Sequence, residues 1–248
     1  MKTNAIIQAR RGSTRFPDKI FADIDGKPLL WHAVNRLKAA ETIGAIVVAT
    51  TVNPEDDATE AWCRENGTAC FRGSAEDVLN RYYEASRAFP SDVIVRITAD
   101  DPFKEPAVID RVVRKVTDEG ADLATNNFPP SFPEGLDCEA FTAAVLERME
   151  RNARDPFERE HVTQYVYRHP EAFAIANVSS DRPLSAYRWT IDSAADYDMV
   201  RAVYAHRTNP KGMLRMDEIL EILAAHPEIA RMNAQVKRSA MYRSDGES

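Results

Sequence analysis

Residues 5–19 read AIIQARRGSTRFPDK, a short apolar run followed directly by a basic loop. The run Ala5–Gln8 has the length and composition of a buried strand. From Gln8 to Lys19 the chain carries four basic residues and one acidic residue, although the whole protein has a net charge of −7. Cationic side chains after a strand, with a glycine that allows close backbone approach, indicate a phosphate-binding loop. A solvated basic loop is the alternative interpretation.

Strand-like and helix-like segments alternate along the chain. The predicted strands are 5–8, 45–51, 92–98, 121–125, 173–178 and 187–191. The predicted helices are 28–40, 54–66, 75–89, 106–119, 142–152, 157–168, 194–206 and 216–225. The alternation predicts an α/β fold with a mainly parallel sheet and helices on both faces. Ligands bind at the carboxyl ends of strands in such sheets, so the loops after the strands are the candidate site.

One stretch interrupts the alternation. Residues 126–141, NNFPPSFPEGLDCEAF, are rich in proline and predict an irregular excursion rather than a helix. We expect a single domain over residues 1–236 and a polar tail over 237–248.

Composition excludes several classes of protein. The net charge of −7 argues against a general nucleic-acid-binding face. Three cysteines without metal-type spacing argue against a disulfide framework and a zinc site. No apolar run approaches the roughly 20 residues needed to cross a bilayer. We therefore expect a cytoplasmic protein with no membrane or nucleic-acid partner.

Seven motifs, in order along the chain, resemble the cytidylyltransferase family. They are QARRGSTRFPDKIFADIDGKPLLWHAVNRLKAA, IVVATTVNPEDD, FRGSAEDVLNRYYEA, VIVRITADDPF, FPEGLDCEAF, DPFEREHVTQYV and RWTIDSAADY. The family includes synthetases of CMP-activated sugar acids, and the later motifs are similar to its SpsF-like spore-coat polysaccharide branch. The resemblance implies a nucleotide-diphospho-sugar transferase fold, which is a GT-A-like and Rossmann-like three-layer α/β sandwich. It also implies a homodimer that transfers CMP from CTP to an anionic acceptor and releases pyrophosphate, with the excursion 126–141 at the dimer or acceptor region.

The resemblance assigns residues by their position in these motifs. The catalytic cations would be Arg10, Arg15 and Lys19. The nucleotide-binding residues would be Gln8, Ala9, Gly12, Ser13, Thr50, Asn53, Arg72, Gly73 and Ser74. The acceptor-binding residues would be Asp137, Glu139, Arg159, His161 and Arg188. For His161 a structural role, and for Arg159 an ion pair within its helix, remain open.

Three aspartates are candidate ligands of Mg²⁺. Asp100 and Asp192 end strand-like runs and match the family's metal-binding carboxylates, and Mg²⁺ prefers oxygen ligands shared with phosphates. Helix capping is the alternative role for Asp192. Asp101 stands where many relatives have cysteine, and it is either an extra ligand or a neighbour that supports the site.

Two other functions are compatible with this fold. A nucleotide-sugar-dependent glycosyltransferase would need a metal-binding D-x-D, and the spacing occurs at 23–25 and 196–198. A non-catalytic nucleotide-binding subunit is the third possibility. The basic first loop favours triphosphate chemistry over diphosphosugar binding, and the joint presence of its cations with Asp100 and Asp192 argues against a non-catalytic subunit.

Overall fold

The computed structural model of the protein describes residues 1–12 and 15–237. Ser13, Thr14 and residues 238–248 lie outside the described residues, and so do the predicted nucleotide contact of Ser13 and most of the predicted polar tail. The strands are β1 (Thr3–Gln8), β2 (Asp23–Ile24), β3 (Lys27–Pro28), β4 (Ala45–Thr51), β5 (Ala69–Gly73), β6 (Val93–Thr98), β7 (Leu123–Thr125), β8 (Glu139–Thr142) and β9 (Ile175–Asn177). The helices are α1 (Leu29–Leu37), α2 (Asp57–Glu65), α3 (Val78–Ala88), α4 (Pro106–Thr117), α5 (Ala143–Asn152), α6 (Pro156–His161), α7 (Gln164–Arg168), α8 (Ala194–Ala205), α9 (Met216–Ala225) and α10 (Pro227–Arg231).

A mainly parallel sheet forms the centre of the fold. Within the described residues it has seven strands in the order β5-β4-β1-β6-β8-β7-β9, and only β8 runs antiparallel to its neighbours. Side chains of β1 alternate between the two faces: Ala5 and Ile7 enter one apolar core, and Ile6 enters the other. The first core packs against α1, α4, α8 and α9, and the second against α3 and α5. The predicted three-layer α/β fold is confirmed.

Several predicted elements differ from the structure. The predicted strand 187–191 is wrong as a sheet strand, because its backbone pairs with the proline-rich segment at Glu134 and not with the sheet. The predicted helix 157–168 is divided into α6 and α7, since Val162 has a φ of 59° that no α-helix accepts. Residues 139–141 of the excursion belong to β8, whose side chains are buried on both faces. A further helix that the sequence did not predict, α10, follows α9 and begins at Pro227.

Candidate active site

The carboxyl ends of β1 and β6 open into a cavity of about 730 Å³. Its lining brings together predicted site residues that are far apart in the chain. These are Gln8, Arg10, Gly12, Arg15, Lys19, Asp100, Asp101, Asp137, Glu139, His161 and Asp192. The lining does not include Ala9, Thr50, Asn53, Arg72, Gly73, Ser74, Arg159 or Arg188.

Lys19 is at the centre of the charged part of the cavity. Its ammonium Nζ lies 2.7 Å from Asp100 Oδ2 and 2.9 Å from Asp192 Oδ1, and the side chain is 13% exposed. Burial alone would lower the pKa of Lys19, but the two carboxylates outweigh it and raise the pKa. Burial works to raise the pKa of Asp100, and the Lys19 charge reverses the effect and lowers it to about 2. Lys19 and Asp100 are therefore both ionised near neutral pH.

Arg15 supplies a second cation at the same carboxylates. Its Nη2 lies 3.1 Å from Asp192 Oδ1, and its side chain is 62% exposed. An exposed arginine at the edge of a cavity retains the freedom to turn its donors towards a phosphate group. The predicted phosphate-binding loop thus presents Lys19 from within the protein and Arg15 from the solvent side.

Asp192 is not the cap of the helix that follows it. The cap of α8 is Ser193, whose hydroxyl accepts from the backbone N–H of Asp196, and Asp196 completes a capping box. The capping alternative for Asp192 is therefore wrong. Its carboxylate instead accepts from Lys19, Arg15 and Arg188.

Asp101 is held separately from the other two aspartates. Its Oδ2 accepts from the Thr98 hydroxyl at 2.7 Å and lies 2.8 Å from the buried ammonium of Lys104. Burial raises the pKa of Asp101, and Lys104 works in the opposite direction. Lys104 also donates to the backbone carbonyl of Asp137. The carboxylate thus anchors the end of β6 to the proline-rich segment.

One ion pair and one buried carboxylate brace the basic loop, and sequence reasoning missed both. The Arg11 guanidinium binds the Asp18 carboxylate at 2.6 and 2.7 Å, which ties together the two ends of the loop. The fully buried Asp56 accepts from the backbone N–H of Arg11 at 2.9 Å and from the Thr51 hydroxyl. The signal for Asp56 was the run of three acidic residues in NPEDD, where only the tertiary structure shows which carboxylate turns inward.

Arg72 stabilises the backbone next to the predicted nucleotide-binding residues of β4. It donates to the carbonyls of Thr51 at 3.0 Å and Asn53 at 2.9 Å, and its Nη1 pairs with Asp57 and Glu60. In this arrangement Arg72 joins the ends of β4 and β5. Thr50 is fully buried, and its hydroxyl has no hydrogen-bond partner among the described residues.

The wall opposite the basic loop carries polar groups from β8, α6 and α7. Glu139 pairs with Arg96 at 2.7 Å and accepts from the Tyr167 hydroxyl at 2.6 Å. Burial lowers the pKa of the nearby His161, which favours its neutral form. The neutral imidazole can accept a hydrogen bond at one ring nitrogen and donate one from the other.

Two predicted acceptor-binding arginines are engaged elsewhere. Arg159 Nη2 lies 2.6 Å from Asp77 and 2.8 Å from Glu150, so it joins α6 to the start of α3 and to α5. Arg188 is 6% exposed and is held by three carboxylates.

Asp100 and Asp192 form a donor set that fits a divalent cation. Each places an oxygen within 2.9 Å of the same ammonium, so both carboxylates reach a common position. In residues 1–12 and 15–237, no group of three or more His, Cys, Asp or Glu side chains is placed to hold a metal ion. Mg²⁺ is commonly bound by one or two carboxylates that share it with substrate phosphates, which matches two aspartates beside a cationic loop.

The D-x-D spacings have other roles in the structure. Asp23 accepts from the backbone of Gly26 in the β2–β3 turn, and Asp25 pairs with Arg207. Asp196 is fully buried in the capping box of α8. None of these carboxylates lines the cavity.

A sequence model of the family described as Cytidylyltransferase matches residues 4–235. The protein belongs to the cytidylyltransferase family. Among its relatives is the spore coat polysaccharide biosynthesis protein SpsF of Bacillus subtilis, 32% identical over 91% of this chain and 95% of that protein. An uncharacterized protein of Methanocaldococcus jannaschii is 33% identical over 97% of this chain and 98% of its own length.

A solved structure supports the same membership. The structure of a cytidylyltransferase from Leptospira borgpetersenii superposes with a TM-score of 0.88 at 33% identity, covering 96% of this chain and 99% of that one. This cytidylyltransferase is therefore a CTP-dependent nucleotidyltransferase of the SpsF-like type. Among the described residues, no helix is both long and apolar enough to span a bilayer.

Proposed function

We propose that this cytidylyltransferase transfers CMP from CTP to an oxygen of an anionic acceptor, with Mg²⁺ and with release of pyrophosphate. The observation that carries the proposal is the position of Lys19 between Asp100 and Asp192, beside Arg10 and Arg15 in one cavity. Cations for a triphosphate and carboxylates for a divalent ion are thus within reach of the same substrate.

The reaction would be an in-line displacement at the α-phosphorus. The acceptor oxygen forms the new P–O bond and, where it is a hydroxyl, gives its proton to His161 or to water. The bond to the bridging oxygen of the β-phosphate breaks, and pyrophosphate leaves with that electron pair. Mg²⁺ held by Asp100 and Asp192 would neutralise negative charge on the phosphate oxygens. Lys19 and Arg15 would stabilise the charge that builds on the α-phosphate and on pyrophosphate, and Arg10 would hold the remaining phosphate oxygens.

The nucleoside would lie on the β1, β4 and β5 side of the cavity. Gln8 lines the cavity, and its buried Oε1 has no hydrogen-bond partner in the part of the chain that the structure describes. Such an orphaned acceptor is costly unless a ligand satisfies it. We propose nucleotide contacts for Gln8, with the backbones of Ala9 and Gly12 at the phosphates and Thr50, Asn53, Gly73 and Ser74 near the base.

The acceptor would occupy the opposite wall, near Asp137, Glu139 and His161. Neutral His161 would hydrogen-bond an acceptor hydroxyl, and Glu139 would hold Arg96 and Tyr167 in place around it. Phe128 is 56% exposed at the rim of the cavity, and its ring lies tilted against that of Tyr167 with the centroids 5.1 Å apart. Its exposed ring supports our proposal that the proline-rich segment also contributes to a homodimer, which light scattering would test.

Pyrophosphate release tests the proposal. Purified protein is incubated with Mg²⁺, each of CTP, UTP, GTP and ATP, and a panel of sugar acids, phosphonates and phosphorylated alcohols. We expect release from CTP with one acceptor class and a rise in melting temperature with CTP and Mg²⁺ alone, because a ligand that binds the folded state stabilises it. Binding of UDP- or GDP-sugars without any binding of CTP would contradict the proposal in favour of a glycosyltransferase.

A further inference from the structure

Arg188 contacts three carboxylates through one buried guanidinium. Its Nη1 lies 2.5 Å from Glu134 Oε1, its Nη2 lies 3.0 Å from Asp192 Oδ2, and its Nε lies 2.9 Å from Asp196 Oδ1. Burial works against its charge, but hydrogen bonds to Asp196 and the charge of Glu134 raise the pKa of Arg188. Arg188 is therefore a permanent cation with its donors directed at three carboxylates.

Asp192 is restrained at both ends by this cluster. Its Oδ2 accepts from Arg188, and its backbone N–H donates to Asp196 Oδ2 at 3.1 Å. With Oδ2 engaged, Oδ1 is the oxygen that faces Lys19 at 2.9 Å and Arg15 at 3.1 Å in the cavity. The rotamer of Asp192 thus follows from the position of the Arg188 guanidinium.

The cluster is in turn fixed from the proline-rich segment and from the carboxyl-terminal region. The Glu134 backbone accepts from Trp189 N–H at 2.7 Å and donates to the Tyr187 carbonyl at 3.0 Å. Asn233 Nδ2 donates to the Arg188 carbonyl at 3.0 Å and to Asp196 Oδ1 at 2.9 Å. Asn233 follows α10 and does not line the cavity.

We propose that Arg188 is a positioning residue for the metal site: it holds Asp192 Oδ2 so that Oδ1 is presented to a divalent cation. The inference rests on the proposed function, and it replaces a direct contact of Arg188 with the acceptor. Partners that hydrogen-bond a metal-binding carboxylate orient it and tune its affinity for the ion. Arginine suits this place because its planar fork meets three carboxylates at once, which a lysine ammonium on a single stem cannot do.

Binding of Mn²⁺, measured by electron paramagnetic resonance with CTP and without acceptor, tests the inference independently of turnover. In Arg188→Lys we expect Mn²⁺ affinity to fall about tenfold or more, the scale usual for such partners. In Asn233→Ala, which leaves every charge in place, we expect a smaller loss of Mn²⁺ affinity. The matched control is Arg114→Lys, which alters an exposed ion pair with Glu41 and should bind Mn²⁺ like the wild type.

Melting temperatures separate positioning from a purely structural role. A lower melting temperature with unchanged Mn²⁺ affinity of the folded Arg188→Lys protein would overturn the inference. If that variant does not fold, Asn233→Ala decides, and Mn²⁺ affinity equal to the wild-type value then overturns it. Failure of the wild type to bind Mn²⁺ with CTP would instead remove the metal-dependent function itself.

Discussion

Lys19 Nζ lies 2.7 Å from Asp100 Oδ2, and this contact joins the loop after β1 to the end of β6, 81 residues later in the chain. β1 and β6 are adjacent parallel strands, so their carboxyl ends lie side by side. The same ammonium reaches Asp192, which precedes α8. The contact therefore brings the basic loop and both carboxylates together in one cavity.

Replacement of Lys19 should lower the rate of CMP transfer without lowering the affinity for the metal ion. In Lys19→Met we expect the rate of pyrophosphate release to fall about 10²–10³-fold, the usual cost of losing one group that stabilises developing charge. Mn²⁺ affinity should persist, since Asp100 and Asp192 remain. Lys38→Met, at an exposed lysine after α1, is the control. Loss of Mn²⁺ binding together with activity would contradict this division of roles.

Removal of the Asp56 charge should loosen the phosphate-binding loop. Asp56→Asn keeps one acceptor oxygen and replaces the other with an NH₂ that faces a donor, either the Arg11 N–H or the Thr51 hydroxyl. The site is fully buried, so we expect a loss of about 1–3 kcal/mol in the free energy of unfolding and a higher KM for CTP. Urea denaturation and steady-state kinetics measure both. Asp57→Asn removes a neighbouring carboxylate that is 67% exposed and should have little effect on either. Equal losses in the two variants would disprove the bracing role.

His32 should make stability depend on pH in mild acid. Burial lowers the pKa of His32 from 6.5 to about 4. The ring donates from Nε2 to the Ile24 carbonyl at 2.9 Å and accepts from the Tyr204 hydroxyl at 3.0 Å. The unfolded chain binds the proton more readily than the folded protein does. The free energy of unfolding therefore has its full value above about pH 6.5 and decreases as the pH falls towards 4, by up to about 3 kcal/mol.

Denaturant unfolding at several pH values measures this effect. His32→Gln retains a donor for Ile24 and should flatten the dependence between pH 4 and 6.5. His206→Gln, at an exposed position after α8, should leave the slope as in the wild type. A slope that is the same in all three proteins would assign the effect to other groups.

Gly135 should tolerate substitution less well than Gly120. Both have a positive φ, 102° and 77°, which costs a residue with a side chain about 1–3 kcal/mol. A Cβ at Gly135 would also meet the backbones of Thr190 and Trp189 at 2.7 and 2.8 Å, whereas a Cβ at Gly120 meets nothing within 4 Å. Thermal or urea unfolding of Gly135→Ala and Gly120→Ala should show an extra loss of about 1–3 kcal/mol in the first. Equal losses would show that the segment moves aside.

Much of the sheet follows from local sequence. The run AIVVATT predicts β4 with the observed bounds, since β-branched apolar residues suit a strand buried on both faces. Predicted helix 216–225 also has the observed bounds, because its apolar spacing is clear and Pro227 follows. β8 could not be found in this way, because its four residues follow a proline-rich segment and are ordered only by pairing with β6 and β7.

The sequence by itself determined the class of the protein: the alternation of strands and helices, the basic loop after β1, and the motifs that identify a cytidylyltransferase. Only the tertiary structure decided which charged groups meet. Asp192 and Asp196 are the same residue type four positions apart, yet Asp192 faces Lys19 and Asp196 completes the capping box of α8 with Ser193. Likewise, Arg15 stays exposed and Arg188 is buried, because an ion pair depends on distances between distant segments that local sequence does not set.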